Sequence, residues 1–311
     1  MEKIKTKIGI IGLILMLAIA CKSGNSEKNT SEKYTFEYNL PQGETFKQIV
    51  SMESKTTQQY LGDKMESVIN VNMSSSFKVK DTDADNYLVD MTYDAVRMDM
   101  SVMGEYVSFD SDTDEEKAFG LNFNPIFKAM TNIPIELRIN KNGRVESVSG
   151  YEKILDAMNY AASEIDETTR EAMMQGFSSQ FSDNAIRETF ELTGMYLPPH
   201  PVSIGETWNI KAQSTLNVPI EIDMEMKLTE VNDNVVIIKG TGSISSDSKE
   251  EINGIKAANI KLKGTQTITI EIDAKTGWVK NADIVQNLKG ATEAGGIKIS
   301  QNSVNIVKIT D

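Results

Sequence analysis

The stretch Ile268-Thr269-Ile270-Glu271-Ile272 alternates strictly between apolar and polar side chains. Such alternation is typical of a β-strand with one face toward a core and one toward solvent, because successive side chains of a strand point to opposite faces. Val68 to Val79 follows a similar alternation over a longer run. Runs of this length favour long, curved antiparallel strands over the strands of a parallel α/β sheet. The sequence therefore predicts a mainly β (α+β) fold.

Three short motifs recur in the same order in the two halves of the chain, and each marks a turn that leads into a strand-like run. The pairs are Gly43-Glu44-Thr45-Phe46 with Gly205-Glu206-Thr207-Trp208, Asp85-Asn86-Tyr87-Leu88-Val89 with Asp233-Asn234-Val235-Val236-Ile237, and Asn140-Lys141-Asn142-Gly143-Arg144-Val145 with Ala274-Lys275-Thr276-Gly277-Trp278-Val279. The preserved order predicts two tandem β-rich repeats, over residues 34–150 and 198–311.

Residues 151–197 change the period of the sequence, because their apolar side chains follow helical spacing. The residues at this spacing are Ile154, Leu155, Met158, Ala161, Ala162, Ile165, Met173, Met174, Phe177 and Phe181. Ser182-Asp183-Asn184 offers a helix cap before Ile186, and Pro198-Pro199-His200-Pro201 ends the region. We expect a helical segment between the two repeats that covers one face of the sheet.

Residues 1–20 have the properties of a lipoprotein signal peptide. Three lysines precede an apolar run from Ile8 to Leu17, and Ala18-Ile19-Ala20 stands directly before Cys21, the single cysteine of the chain. The apolar run is shorter than the roughly 20 residues that a membrane-spanning helix needs. We expect cleavage before Cys21, lipid attachment to that cysteine, and a flexible tether over residues 21–33, which is too polar to fold alone.

The residues after Cys21 bear on location. Lys22 rather than an aspartate follows the cysteine, which favours the outer membrane by resemblance to lipoprotein sorting rules. Residues 22–31 hold the single acidic residue Glu27 instead of the acidic cluster of some surface-exported lipoproteins, so we expect the protein to face the periplasm. The formal net charge of −13 argues against a nucleic-acid partner.

The residues of common catalytic sites are scarce. His200, the only histidine, lies between two prolines, and no Gly-x-Ser-x-Gly elbow accompanies it. A single histidine also excludes a histidine-based zinc site. We predict that the chain is not an enzyme and needs no cofactor, although its many acidic residues leave paired-carboxylate chemistry open.

Two acidic loops invite comparison with calcium sites. Asp81, Asp83 and Asp85 begin like an EF-hand loop, but Asn86 and Thr92 stand where that loop needs glycine and glutamate. A second cluster, over residues 110–116, lacks a helical frame as well. We predict solvated hairpin loops and no dedicated metal site, and weak binding of a divalent cation stays an open alternative.

Methionine is in excess, with 16 residues in the chain. Met98 with Met100, and Met224 with Met226, fall two residues apart, so the members of each pair share one face of a strand. Methionine is flexible and polarizable, which suits a surface that accepts ligands of varied shape. It also suits an irregular core, or a thioether site for Cu(I). These four methionines are the candidate ligand-binding residues, and the sequence leaves the three interpretations open.

The mature chain resembles a family of uncharacterised bacterial lipoproteins over nearly its whole length. The resemblance rests on Leu40-Pro41-Gln42-Gly43-Glu44-Thr45-Phe46, the methionine-rich strands, Gly205-Glu206-Thr207-Trp208 and Lys275-Thr276-Gly277-Trp278-Val279. It implies a protein of the cell envelope and assigns no catalytic residue.

We therefore expect a non-enzymatic lipoprotein, anchored to the outer membrane through Cys21, that binds a hydrophobic ligand such as a lipid. One alternative is a structural or assembly partner of envelope proteins, with an exposed apolar or aromatic patch near Phe46 or Trp208. The other alternative is a carboxylate-based enzyme.

Overall fold

We analysed the fold in a computed structural model. The structure describes residues 32–113, 123–194, 196–214, 219–252, 255–294 and 297–311. The predicted signal peptide, Cys21, most of the tether, and the second acidic cluster from Asp114 onward lie outside the described residues.

The described residues form mainly β-strands, with four helices. The strands are β1 (Thr45–Tyr60), β2 (Asp63–Thr82), β3 (Asn86–Val102), β4 (Glu105–Asp110), β5 (Ile135–Asn140), β6 (Val145–Ser149), β7 (Thr207–Ser214), β8 (Ile220–Val231), β9 (Val235–Ile252), β10 (Ile255–Asp273), β11 (Val279–Ala294) and β12 (Ile297–Thr310). The helices are α1 (Asn124–Ala129), α2 (Glu152–Ala161), α3 (Glu167–Gln180) and α4 (Asp183–Gly194).

All of these strands belong to one antiparallel sheet with the order β6-β5-β3-β2-β1-β12-β11-β10-β9-β8-β7, and β4 pairs with the part of β3 that β5 leaves free. The two halves of the chain join where β1 pairs with β12, from Ile49 opposite Thr310 to Tyr60 opposite Ile299. The prediction of a mainly β fold with long antiparallel strands is confirmed. The strands of both predicted repeats lie in a single continuous sheet.

Strict alternation of apolar and polar side chains along the strands explains why one face of this sheet is buried. On β8, side chains from Ile220 to Leu228 are buried at every second position and exposed between them. Close packing in this region depends on glycine, because a Cβ added to Gly240 would lie 2.2 Å from the sulfur of Met226 on the neighbouring strand. Glycine opposite a large side chain such as Met226 leaves room for that side chain between adjacent strands.

Two apolar cores lie under the sheet. The first packs β1–β6 against the helices, and the second lies among β7–β12. Trp278 joins the halves, because it follows β10 in the chain but belongs to the first core, with its ring centroid 4.9 Å from Phe46 and 5.1 Å from Phe77. Residues 151–197, the predicted helical segment, contain α2, α3 and α4, and α1 lies earlier, within the first predicted repeat.

The recurring sequence motifs occupy corresponding turns at one end of the sheet. The amide of Gly43 donates to the carbonyl of Val79 (2.9 Å), and the amide of Gly205 donates to that of Leu228 (2.8 Å). Both glycines have positive φ, +88° and +92°, a backbone conformation that glycine adopts without strain. The second and third motifs of each half are also joined by a hydrogen bond. The amide of Lys141 donates to the backbone carbonyl of Asp85 (3.2 Å), and the amide of Ala274 donates to the backbone carbonyl of Asn234 (3.1 Å).

Candidate binding cleft

A cleft of about 900 Å³ lies at the β7 edge of the sheet, between that strand, α4 and the turn that connects β5 with β6. Its apolar lining consists of Phe36, Leu197, Pro198, Pro199, Ile210 and Ala212. Its polar lining consists of Asn140, Asn142, Gly143, Arg144, Glu188, Glu191, Asn209, Lys211 and Gln213. The volume falls in the range of small-molecule sites, and the mixed lining suits an amphipathic ligand.

Helix α4 forms one wall of the cleft because its two sides differ in polarity. Ile186 and Phe190 are buried in the first core, whereas Glu188 and Glu191 line the cleft. The hydroxyl of Ser182 accepts a hydrogen bond from the amide of Ala185 (3.1 Å), which satisfies a backbone donor at the start of the helix. The Ser182-Asp183-Asn184 stretch thus lies at a helix start, as its sequence predicts.

The same helix contacts the start of the outer strand β6 at Val145. The Val145 amide donates to Oε1 of Glu191 (2.9 Å), and the Val145 carbonyl accepts a hydrogen bond from the guanidinium of Arg187. The other acidic side chain, Glu188, accepts a hydrogen bond from the Ser214 hydroxyl at the end of β7 (2.8 Å). Helix α4 therefore connects the two outer edges of the sheet.

The β7 edge differs from the β6 edge. From Thr207 to Ser214, β7 pairs with β8 on one side. On its other side, no backbone hydrogen bond to residues 207–213 is found in the described part of the chain. Five consecutive residues of this strand, 209–213, line the cleft. Since consecutive side chains point to opposite faces, the cleft runs along the backbone edge of β7 rather than along one face of the sheet.

The tether enters the fold beside this cleft. Tyr34 and Val202 exchange two backbone hydrogen bonds, of 2.8 and 3.0 Å. Phe36, two residues further on, stacks on Tyr34 with a centroid distance of 6.4 Å and lines the cleft. The first strand contact after the predicted tether thus lies beside the cleft.

Charges of both signs surround the opening. Lys211 and Asp223 form an exposed ion pair (2.8 Å), and this hydrogen bond raises the pKa of the lysine. Arg144 is exposed, and no ion pair to it is found among the described residues. Glu188 and Glu191 also line the cleft, and they bind Ser214 on the strand of Lys211 and Val145 next to Arg144, so acidic and basic side chains are interspersed around it.

The four candidate methionines do not line this cleft. Met224 and Met226 are fully buried in the second core, and Met98 and Met100 are half-buried against the first. Strand pairing does not bring the two pairs together, because six strands separate β3 from β8 in the sheet. No sequence pattern singled out the residues of β7 that line the cleft, because an open edge depends on which strands pair.

The other residues that the sequence singles out lie apart from the cleft. Phe46 is half-buried against Trp278, and Trp208 is buried in the second core, so neither forms an exposed patch. In the first acidic loop, Asp83 accepts hydrogen bonds from the amides of Asp85 and Asn86, and Arg138 also donates to it. These contacts lower the pKa of Asp83 to about 2. Within the described ranges, no group of three or more His, Cys, Asp or Glu residues could hold a metal ion.

The fold and the cleft define a single-sheet antiparallel β protein with a cleft at an outer edge of the sheet. The chain belongs to a family of unknown function, DUF6263, which matches residues 84–279. No curated protein matches the sequence. Among the described residues, no helix is long and apolar enough to cross a membrane.

Solved structures give low similarity. A structure titled for lipid-protein interactions in lipovitellin aligns with a TM-score of 0.45 and 8% identity, and covers 86% of this chain. The chain spans 25% of the length of that protein. The COG4313 outer membrane channel from Pseudomonas putida F1 aligns with a TM-score of 0.29 and 9% identity, with coverage of 91% and 99% of the two chains.

Proposed function

We propose that this protein is a non-enzymatic envelope lipoprotein, anchored to the outer membrane through lipidated Cys21 and facing the periplasm, that binds an amphipathic ligand in the cleft beside β7. It works without a cofactor. The observation that carries the proposal is the position of Phe36, which follows the predicted tether directly and forms part of the cleft wall.

The tether length supports a ligand that comes from the anchoring membrane. Residues 22–33 separate Cys21 from the first ordered strand contact at Tyr34. At 3.3–3.6 Å per extended residue, they reach at most about 43 Å. The cleft therefore stays within a few nanometres of the bilayer surface, while its apolar side chains and charged rim match the two parts of an amphipathic molecule.

Native mass spectrometry of the full mature protein, released from membranes in a mild detergent, tests this proposal. Asn142→Trp is the blocking variant, because residue 142 is exposed in a turn, lines the cleft and takes no part in either core. Ala84→Trp is the matched control, since it adds the same ring to another exposed turn at the same end of the sheet. We expect a discrete bound mass on the wild type and on Ala84→Trp, and its loss from Asn142→Trp. Equal occupancy of all three, or no bound mass, contradicts the proposal.

A second candidate, an assembly or docking role, is favoured by the hairpins at the opposite end of the sheet. Leu61 between β1 and β2, and Met103 between β3 and β4, are 79% and 65% exposed. Both adopt positive φ, of 50° and 54°, which is costly for a large side chain. Ile297, at the β12 end of the neighbouring hairpin, is 41% exposed. Large apolar side chains at strained and exposed turns suit contact with an apolar partner better than contact with water.

We also infer that the sheet contains two copies of one β-rich unit. Corresponding hydrogen bonds at the Gly43 and Gly205 turns, and again at Lys141 and Ala274, support the tandem arrangement. In each half, the strands that carry the motifs follow one another in the same direction across the sheet. The helices and β4 would then be additions to the first copy, and β12 an addition to the second.

A further inference from the structure

We infer that the open edge of β7 binds an extended peptide as an additional antiparallel or parallel strand, with an alternating apolar and polar sequence. This inference rests on the proposed function of the cleft and names the class of its ligand. The juxtaposition that carries it is an unpaired strand edge facing a cleft with room for a further strand.

Among the described residues, side chains of α4 contact the backbone of one outer strand, β6, at its first residue, but not the backbone of the other outer strand, β7. At β6, side chains of α4 bind both the amide and the carbonyl of Val145, as described above. At β7, no comparable backbone contact to residues 207–213 is found within the described ranges, although α4 reaches the end of that strand through Glu188 and Ser214. Unpaired edges promote association, so natural proteins usually cover them. The chain leaves this one facing a cleft.

The chemistry of the cleft favours a peptide over a plain hydrocarbon chain. Its β7 wall consists of five consecutive residues, whose backbone offers amide donors and carbonyl acceptors along the edge. A hydrocarbon chain would desolvate these groups without replacing their hydrogen bonds, which costs free energy. An added strand satisfies them, and main-chain hydrogen bonds are the source of affinity in this mode of recognition.

Side chains beside the edge indicate the sequence that fits. Ile210 and Ala212 are half-buried on one face of β7, whereas Asn209, Lys211 and Gln213 are exposed on the other. A strand beside them would present apolar residues to the first set and polar residues to the second. The chain already shows a pairing of this kind just upstream, where the extended residue Tyr34 bonds to Val202.

The test selects peptides from a displayed library of ten-residue sequences against the full mature protein held in nanodiscs, with counter-selection on Asn142→Trp. The best peptide is then made in three forms: unmodified, N-methylated on the odd-numbered residues, and N-methylated on the even-numbered residues. We expect the unmodified peptide to bind the wild type and Ala84→Trp alike, and to bind Asn142→Trp at least tenfold more weakly. In one register, N-methylation should abolish binding, because it removes the donors without removing the side chains.

Hydrogen exchange provides a second measurement. Bound peptide should slow amide exchange in residues 208–213 at least tenfold and leave the exposed turn at Ala84 unchanged. Equal binding of both N-methylated peptides, or no peptide enriched on the wild type, would overturn the inference. If native mass spectrometry then finds a lipid bound to the wild type but not to Asn142→Trp, the proposed function of the cleft is supported and the inference of peptide binding is wrong. If neither ligand is found, both proposals fail.

Discussion

The side-chain amide of Gln266 lies 2.7 Å from the sulfur of Met224, and both side chains are fully buried. They meet across Gly242 of β9, which pairs with Met224 and has no side chain to separate them. Among the described residues, the side-chain carbonyl oxygen of Gln266 has no hydrogen-bond partner. Met224 therefore supplies a polar contact within the second core as well as apolar volume.

This contact predicts different behaviour for the two neighbouring core methionines. Met224→Leu leaves the amide of Gln266 buried and unsatisfied, which costs about 1–3 kcal/mol. Met226→Leu, the control on the same strand, conserves volume and should cost less than about 1.5 kcal/mol. Urea unfolding of each variant and of the double variant Met224→Leu/Gln266→Leu measures the difference. Equal losses for the two single variants would show that the sulfur contact contributes nothing.

Gly240 should tolerate no side chain. A Cβ there would lie 2.2 Å from the Met226 sulfur and 2.9 Å from Ile268, so Gly240→Ala should destabilise the fold by about 1–3 kcal/mol through overpacking. Gly176 in α3 has nothing within 4 Å of its added Cβ. Gly176→Ala should therefore stabilise the protein by about 0.5–1 kcal/mol through helix propensity. Unfolding midpoints that move in the same direction for both would contradict this account of the packing.

Stability should fall in acid because of Asp99. Hydrogen bonds from Arg97, then from Ser108 and Tyr106, lower the pKa of Asp99 to about 2. Since the pKa in the folded state is below the unfolded value of about 3.9, this contribution is complete above about pH 5 and is lost as the pH falls toward 2. Asp99→Asn should reduce the pH dependence of unfolding in that window, whereas Asp233→Asn, in an exposed turn, serves as the control. An unchanged slope for Asp99→Asn would exclude this residue as the source.

The strained hairpin residues should be replaceable with a gain in stability. Asparagine tolerates positive φ better than leucine or methionine, so Leu61→Asn and Met103→Asn should each stabilise the fold by about 0.5 kcal/mol. Asn132 has φ of 59° and is exposed, and Asn132→Leu should have the opposite effect. If the hairpin turns at Leu61 and Met103 bind an apolar partner, the two asparagine variants should also bind less to vesicles of neutral lipid or to envelope proteins. Destabilisation by both asparagine variants would refute the strain argument.

Lipid attachment to Cys21 is open to direct test. Cells grown with radiolabelled palmitate should label the wild type and Lys22→Asp, whereas Cys21→Ser should carry no label. If the sorting expectation for Lys22 holds, Lys22→Asp should move from the outer to the inner membrane fraction. Label retained on Cys21→Ser would place the acyl chain elsewhere or disprove the lipoprotein assignment.

Local features of the fold could be predicted from the sequence because they depend on neighbouring residues. Alternation such as Ile268-Thr269-Ile270-Glu271-Ile272 predicted long antiparallel strands, and the helical spacing between Ile154 and Phe181 falls on α2 and α3. Helix α1 was not predicted, because its six residues are too short for a periodic pattern. The lipid attachment point and the tether remain predictions of the sequence alone.

Contacts between distant residues were decided only by the tertiary structure. The pairing of Ser54 with Asn305 joins the two ends of the chain into one sheet, although 251 positions separate these residues. That pairing makes β6 and β7 the outer strands, so it also determines that the edge of β7 faces the cleft and that α4 contacts β6 at Val145. The alternation of a strand specifies which face is buried but not which strand lies beside it, because backbone hydrogen bonds are the same for every sequence.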